Sequence, residues 1–166
     1  MKIEHVLEHK GSRVETLWNT KLLRDAIALL DARNIASIVV TDPHGSPLGL
    51  VTDRSIIHQL AQKGTIAMDE RVSVAMTTPL PTCRPHDTVS DVLRAMTDNR
   101  YRHAVVMRDK NMIGLVSIGD LVKIRLDDAE LEGVAALLAV ADGGGHAGVR
   151  DRNDDVDVGG SLAGQL

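Results

Sequence analysis

The sequence predicts an α/β fold of the α+β kind: two β-α-β-β-α units packed face to face about a pseudo-twofold axis. Three observations carry this. First, the chain repeats itself. Thr16 begins an extended stretch, an amphipathic segment, then Ser37-Ile38-Val39-Val40, a turn, and Gly49-Leu50-Val51-Thr52. Thr82 begins the same order, with His103-Ala104-Val105-Val106, a turn, and Gly114-Leu115-Val116-Ser117. Thr16/Thr82, Asp25/Asp91 and Val39/Val105 lie 66 apart (82 − 16, 91 − 25, 105 − 39), and Gly49/Gly114 lie 65 apart (114 − 49). Second, a repeat of this size present only twice is too sparse for a solenoid, so each copy hides its apolar sheet face against the other. Third, a chain of 166 residues with 43% hydrophobic residues can build a real core, but with no Phe, one Trp and one Tyr it builds it from aliphatic side chains.

The elements follow in order. A short leading helix over 3–8 stops near Gly11 and is expected to be exposed. A strand over 14–17 precedes a helix over 21–33, capped by Asn19 or Thr20, with Leu22, Leu23, Ala26, Ile27 and Leu30 inward. The β-branched run 37–41 is a buried strand. Asp42-Pro43-His44-Gly45-Ser46-Pro47 is turn chemistry, and 48–52 is the returning strand. A helix over 54–62 closes at Gly64. The second copy reads as strand 81–83, helix 88–99 with Val89, Val92, Leu93 and Met96 inward, strands 102–107 and 112–116, and a C-terminal helix from Ile118 to about Ala141. The domain plan is therefore 1–66 (first copy with the leading helix), 67–79 (linker holding a short helical turn), 80–141 (second copy) and 142–166. That last stretch, rich in Gly and Asp, has too little apolar surface to offset its ordering entropy and reads as a flexible tail.

Composition narrows the function. A net charge of −4 and the lack of aromatic platforms argue against nucleic acid. No stretch reaches the roughly 18 apolar residues of a membrane span. The single cysteine, Cys83, cannot form an internal disulfide, and a cytoplasmic location is expected. His5 and His9 stand one helical turn apart without a third ligand, so they read as solvated side chains and no metal is expected. Gly143-Gly144-Gly145-His146 lacks the Lys-[ST] of a phosphate loop.

The sharpest motif is Gly114-Leu115-Val116-Ser117-Ile118-Gly119-Asp120. Ser117 caps a helix and Asp120 can reach back to the Ser117 amide, a short variant of the capping box. The same geometry suits a ligand, because a helix N-terminus draws phosphate and a carboxylate there can accept both hydroxyls of a ribose. Gly114 leaves room for a ligand or another backbone to approach.

The doubled order, with Arg100 to Val106 followed by Gly114 to Lys123, resembles paired cystathionine β-synthase (CBS) domains, the Bateman module, and in particular small stand-alone bacterial CBS pairs. The resemblance covers about 1–128. It implies an adenosyl ligand (AMP, ADP, ATP or NAD(H)) as a regulatory ligand, with no required cofactor, in clefts between the copies. It places Ser117 and Asp120 on the ribose, Thr82 near base or ribose, and Arg102, His103, Ala104 and Val105 along the adenine pocket, Ala104 standing where the family often has Pro. In the first copy, Thr16, Ser37, Ile38, Thr52 and Ser55 hold the matching positions. Ser55 replaces the ribose carboxylate, so that site is expected to be weak, empty or differently used. Arg54, at a helix start where a cation is unfavourable, is a candidate for phosphate across the cleft. The resemblance also implies a homodimer, and the apolar stripe Leu131 to Leu138 is a candidate contact. No separate effector domain is read in these residues, so any signal is expected to pass to an unidentified protein partner or to assembly. No catalytic constellation stands out: His103 and Asp120 alone keep a nucleotide-processing enzyme as the alternative, beside a ligand-free dimerisation module.

Overall fold

In the computed structural model, residues 1–143 are described. The tail expected over 142–166 lies outside them from residue 144 onward, and residues 142 and 143 belong to a helix. The order is α1 (Ile3–Lys10), β1 (Thr16–Trp18), α2 (Leu23–Arg33), β2 (Ser37–Thr41), β3 (Pro47–Thr52), α3 (Asp53–Lys63), 3₁₀ segments Gly64–Asp69 and Val72–Ala75, β4 (Thr82–Cys83), α4 (Val89–Asp98), β5 (His103–Arg108), β6 (Asn111–Ser117) and α5 (Ile118–Gly143). Each copy contributes one three-stranded sheet, ordered β1-β2-β3 and β4-β5-β6. The first pair of each is parallel and the second antiparallel, with Thr16 opposite Val39 and Thr82 opposite Val105. Even the register shifts recur, between Val40 and Thr41 and between Val106 and Met107.

Alternation along the central strands divides the core. Ile38 and Val40 pack with Leu23, Ala26 and Leu30 of α2, while Ala104 and Val106 pack with Val89, Val92 and Met96 of α4. Val39 and Val105 point the other way and meet Leu50 in a third cluster, the seam between the sheets. Strands buried on both faces read as continuous apolar runs, which is why neither central strand shows a polar side.

Three expectations need correction. The leading helix is not exposed: Ile3, Val6 and Leu7 are buried, and they sit in the core of the second copy rather than the first. Its start is hydrogen-bonded to the approach to α4, through Ile3 N–H to Asp87 O (3.0 Å) and Val89 N–H to Met1 O (3.1 Å). Conversely, linker residues Ala67, Val72 and Ala75 complete the core of the first copy, with Val72 N–H to Lys21 O (2.8 Å) and Leu23 N–H to Glu70 O (2.9 Å). Each copy is thus finished by the segment that precedes the other. Second, neither Asn19 nor Thr20 caps α2, which begins later. Asp25 accepts the Leu22 amide instead (2.9 Å), and the buried Asn19 Oδ1 has no partner among the described residues. Third, Gly114 makes room for a side chain of its own chain, not for a ligand. A Cβ there would stand 2.7 Å from Leu7 Cδ2, and one at Gly49 would overlap the Met76 side chain and stand 2.9 Å from Thr77 O.

Residues Met1–Ala129 form one compact unit, and Glu130 begins a second. In the latter, Leu131, Val134, Leu137 and Leu138 of α5 are exposed. Among the described residues no helix is long and apolar enough to cross a membrane.

Candidate functional site: two clefts between the copies

The second strand pair of each copy delivers the chain to a helix N-terminus. At α5, Asp120 Oδ2 accepts the Ser117 amide and hydroxyl (both 2.8 Å), and the Asp120 amide donates to Ser117 Oγ (3.1 Å). At α3, Ser55 N–H donates to Thr52 Oγ1 (3.1 Å), while Ser55 Oγ accepts from Thr52 N–H (3.0 Å) and donates to Thr52 O (2.9 Å). Both motifs therefore form capping boxes. The difference lies in what is left over. The Ser55 hydroxyl is consumed by the cap, whereas Asp120 Oδ1 has no hydrogen-bond partner among the described residues.

Lys10, the last residue of α1, was not among the sequence candidates. Its Nζ lies 2.7 Å from Asp120 Oδ2 and 2.8 Å from Leu115 O. Burial would raise the Asp120 carboxyl, but the bonds from Lys10 and from the Ser117 amide and hydroxyl outweigh it and hold it below the ordinary carboxylate value.

These helix starts border two clefts. The smaller, of about 720 Å³, is lined by Ser117 and Asp120 from the second copy, by 32–37 from the first, and by Lys10, Arg13 and Glu15. The larger, of about 850 Å³, is lined by 52–55 and His58 from the first copy and by 99–103 from the second, with 77–81 along one side. His103 and Ser117, paired across β5 and β6, face both.

The sequence candidates are thereby redistributed. Ser37, His103, Ser117 and Asp120 meet in the smaller cleft; Thr52, Arg54, Ser55 and Arg102 meet, with His103, in the larger. Arg102 and Asp120, grouped in one pocket on sequence order, line different clefts, because each cleft takes its walls from opposite copies. Ile38, Ala104 and Val105 are fully buried, the first two among the helices and the third in the seam. Thr16 and Thr82 are exposed and line neither cleft. Arg13, Glu15, Arg33 and His58 join the walls unannounced by any motif, and Arg100, which opens the 100–106 motif, joins them without having been a site candidate. His5 and His9 are exposed, and among the described residues no group of three His, Cys, Asp or Glu could hold a metal.

His103 is the titratable side chain common to both clefts. Its Nδ1 is buried and has no hydrogen-bond partner among the described residues. Burial pushes the imidazole below its ordinary 6.5; Asp53 and Asp120 oppose this, and Arg102 and Lys10 add to it. A histidine with a lowered folded value binds its proton more readily when unfolded. Its stabilising contribution is therefore complete above about pH 6.5 and declines as pH falls through the folded value. Urea midpoints measured between about pH 7 and 5 should fall less in His103→Gln than in wild type; equal slopes would show that His103 is not the group responsible.

Comparison with known proteins matches this architecture. The family pattern described as CBS domain matches residues 12–62 and again 71–127. The CBS domain-containing protein CBSX3, mitochondrial, of Arabidopsis thaliana is 32% identical over 129 residues, which cover 73% of this chain and 63% of that protein, so the chain spans less than two thirds of that relative. The crystal structure of a CBS-domain containing protein from Agrobacterium tumefaciens superposes with a TM-score of 0.73 at 34% identity, over 75% of this chain and 92% of that one. A CBS domain protein from Pyrobaculum aerophilum, complexed with AMP, shares the fold with a TM-score of 0.64 at 22% identity, over 72% of this chain and 89% of that one. With both copies matched by one pattern and the same architecture in the solved relatives, this chain belongs to the CBS domain family.

Proposed function

We propose that the chain is a regulatory binding module that takes an adenosyl nucleotide (AMP, ADP, ATP or NAD(H)) in the smaller cleft and passes its occupancy to a partner protein or to an assembly state. One observation carries the reading. Asp120 is held ionised at the N-terminus of α5, inside a cleft, with Oδ1 uncommitted. A carboxylate so placed accepts ribose hydroxyls, and the helix terminus favours an anion nearby. Ser37, His103 and Ser117 flank it. The AMP-bound structure of the same fold supports the ligand class. Lys10 bonds Asp120 Oδ2, so a ribose bound by this carboxylate would share it with Lys10.

Transmission through assembly is supported by Ile57 and Val122, exposed apolar residues at equivalent positions (122 − 57 = 65) of α3 and α5. A homodimer joined through such faces would couple the two helix starts to the interface, because Ile57 and Val122 each lie two residues beyond the cleft-lining Ser55 and Asp120. A cytoplasmic location belongs to the same reading, supported by the buried and unpaired Cys83.

Ligand at about 100 times its dissociation constant should stabilise the protein by roughly 2.7 kcal/mol. Thermal melts of ligand-free protein with AMP, ADP, ATP and NADH test this. No shift with any of them would sink the reading, and native mass spectrometry of freshly purified protein would report retained ligand and subunit number together.

A further inference from the structure

The clefts occupy equivalent places in the two copies, so their walls can be compared residue by residue. Before the turn the offset is 66 (100 − 34, 102 − 36, 103 − 37), and after it 65 (119 − 54, 120 − 55). Asn34, Ala36 and Ser37 of the smaller cleft correspond to Arg100, Arg102 and His103 of the larger. On the helix starts, Gly119 and Asp120 of α5 correspond to Arg54 and Ser55 of α3. Three arginines therefore stand where the other half has Asn, Ala and Gly, the Asp120 carboxylate is replaced by the Ser55 hydroxyl, and one carboxylate, Asp53, stands where α5 has Ile118 (118 − 53 = 65).

All three arginines are exposed, and two further observations set them apart from the cations of the smaller cleft. In the smaller cleft each cation has an ion-pair partner: Lys10 has Asp120 at 2.7 Å, and Arg13 and Arg33 share Glu15 at 2.7 and 3.8 Å. In the larger cleft Arg54, Arg100 and Arg102 form no ion pair among the described residues. Asp53, the carboxylate in that wall, accepts the Arg54 amide instead (2.7 Å). Arg100 also stands at φ 56, in the left-handed region that its counterpart Asn34 adopts at φ 51. Asn tolerates that conformation and Arg is a costly choice for it, so something other than the backbone calls for the guanidinium.

We infer that the larger cleft is a binding site for an anion carrying two or three linked phosphate groups, gripped by Arg54, Arg100 and Arg102. Guanidinium forks match phosphate oxygens in pairs, and three guanidinium charges along one wall exceed the roughly −1.5 to −2 that a single phosphate carries near neutral pH, so a longer phosphate chain matches them better. The Ser55 hydroxyl is already committed to Thr52, so recognition in this cleft runs through charge and not through a sugar. The inference stands independently of the adenosyl reading of the Asp120 cleft.

Isothermal titration of the full chain at fixed ionic strength tests it, using orthophosphate, pyrophosphate, tripolyphosphate, AMP and ATP. Tripolyphosphate should bind once per chain and at least about tenfold more tightly than orthophosphate, with roughly tenfold lost in each of Arg100→Asn and Arg102→Ala. R100N carries the residue that the first copy uses at the same φ, so its fold is preserved, and an unchanged melting temperature checks this. Asp120→Asn should leave tripolyphosphate binding as in wild type. In D120N, ATP binding well above tripolyphosphate and weakened by R100N would identify a nucleotide tail, and equal binding an inorganic polyphosphate; both uphold the site. Failure of both tripolyphosphate and ATP to bind, equal binding of orthophosphate and tripolyphosphate, indifference to R100N and R102A, or loss in D120N would overturn it. Tripolyphosphate binding that R100N and R102A weaken, with no binding of AMP, ATP or NADH that D120N weakens, would refute the adenosyl reading alone.

Discussion

Ile3→Ala, a change at the third residue of the chain, is expected to cost about 2–5 kcal/mol of stability, as much as a truncation in a central strand. Chain ends are ordinarily tolerant, but Ile3 is fully buried among Val89, Val92, Met96 and Leu121 of the second copy's core. Removing three of its carbons leaves a space bounded by a helix and a sheet that cannot both move inward, because α1 is also hydrogen-bonded to the approach to α4. With a urea slope of about 1–3 kcal/mol/M for a domain of this size, the midpoint should fall by about 1 M or more. Leu131→Ala, 68% exposed on α5, serves as the comparison and should stay within about 0.5 kcal/mol. If Ile3→Ala also stayed within that margin, α1 would be loosely docked and the second copy's core would close without it.

Asp120→Ala is expected to weaken adenosyl binding at least tenfold, because charge-assisted hydrogen bonds are worth roughly 1.5–3 kcal/mol each and two ribose hydroxyls share the carboxylate. The variant also loses the reach-back half of the α5 cap, at about 1 kcal/mol, so its melting temperature without ligand must be measured beside its affinity. Ser55→Ala is the matched control. Ser55 occupies the equivalent position on α3 and makes the equivalent capping bonds, so it carries a similar structural cost and should leave adenosyl binding nearly unchanged. Equal losses in the two variants would show that capping, not ribose contact, explains the Asp120 effect.

The reach of sequence reasoning differs between the two halves of this problem. Strand and helix positions were legible because apolar spacing switches between a period of 2 and one of 3.6, and because turn residues punctuate the switches. The repeat then doubled every such signal. The placement of α1 was also written in the chain, but faintly. Ile3, Val6 and Leu7 share the spacing of Val72, Ala75 and Met76 at an offset of 69 (72 − 3, 75 − 6, 76 − 7). That offset differs by three from the 66 of the strands, and the two segments form an α-helix and a 3₁₀ segment, which hides the kinship. The extra room at Gly49 and Gly114 belongs to the same pattern, since each admits the side chain that ends such a segment, Met76 or Leu7.

By itself the sequence determined the class of fold, the repeat and the capping chemistry of Ser117 and Asp120, all of which depend on residues a few positions apart. Only the tertiary structure decided that Arg102 and Asp120 look into different clefts, that Lys10 reaches Asp120 across 110 positions, and that each copy's core is closed by the other's leading segment. Local spacing governs hydrogen bonds within a turn of helix or along a strand. Which wall faces which depends on how two sheets dock through Val39, Leu50 and Val105, and a hydrophobic contact carries no direction along the chain that would announce its partner.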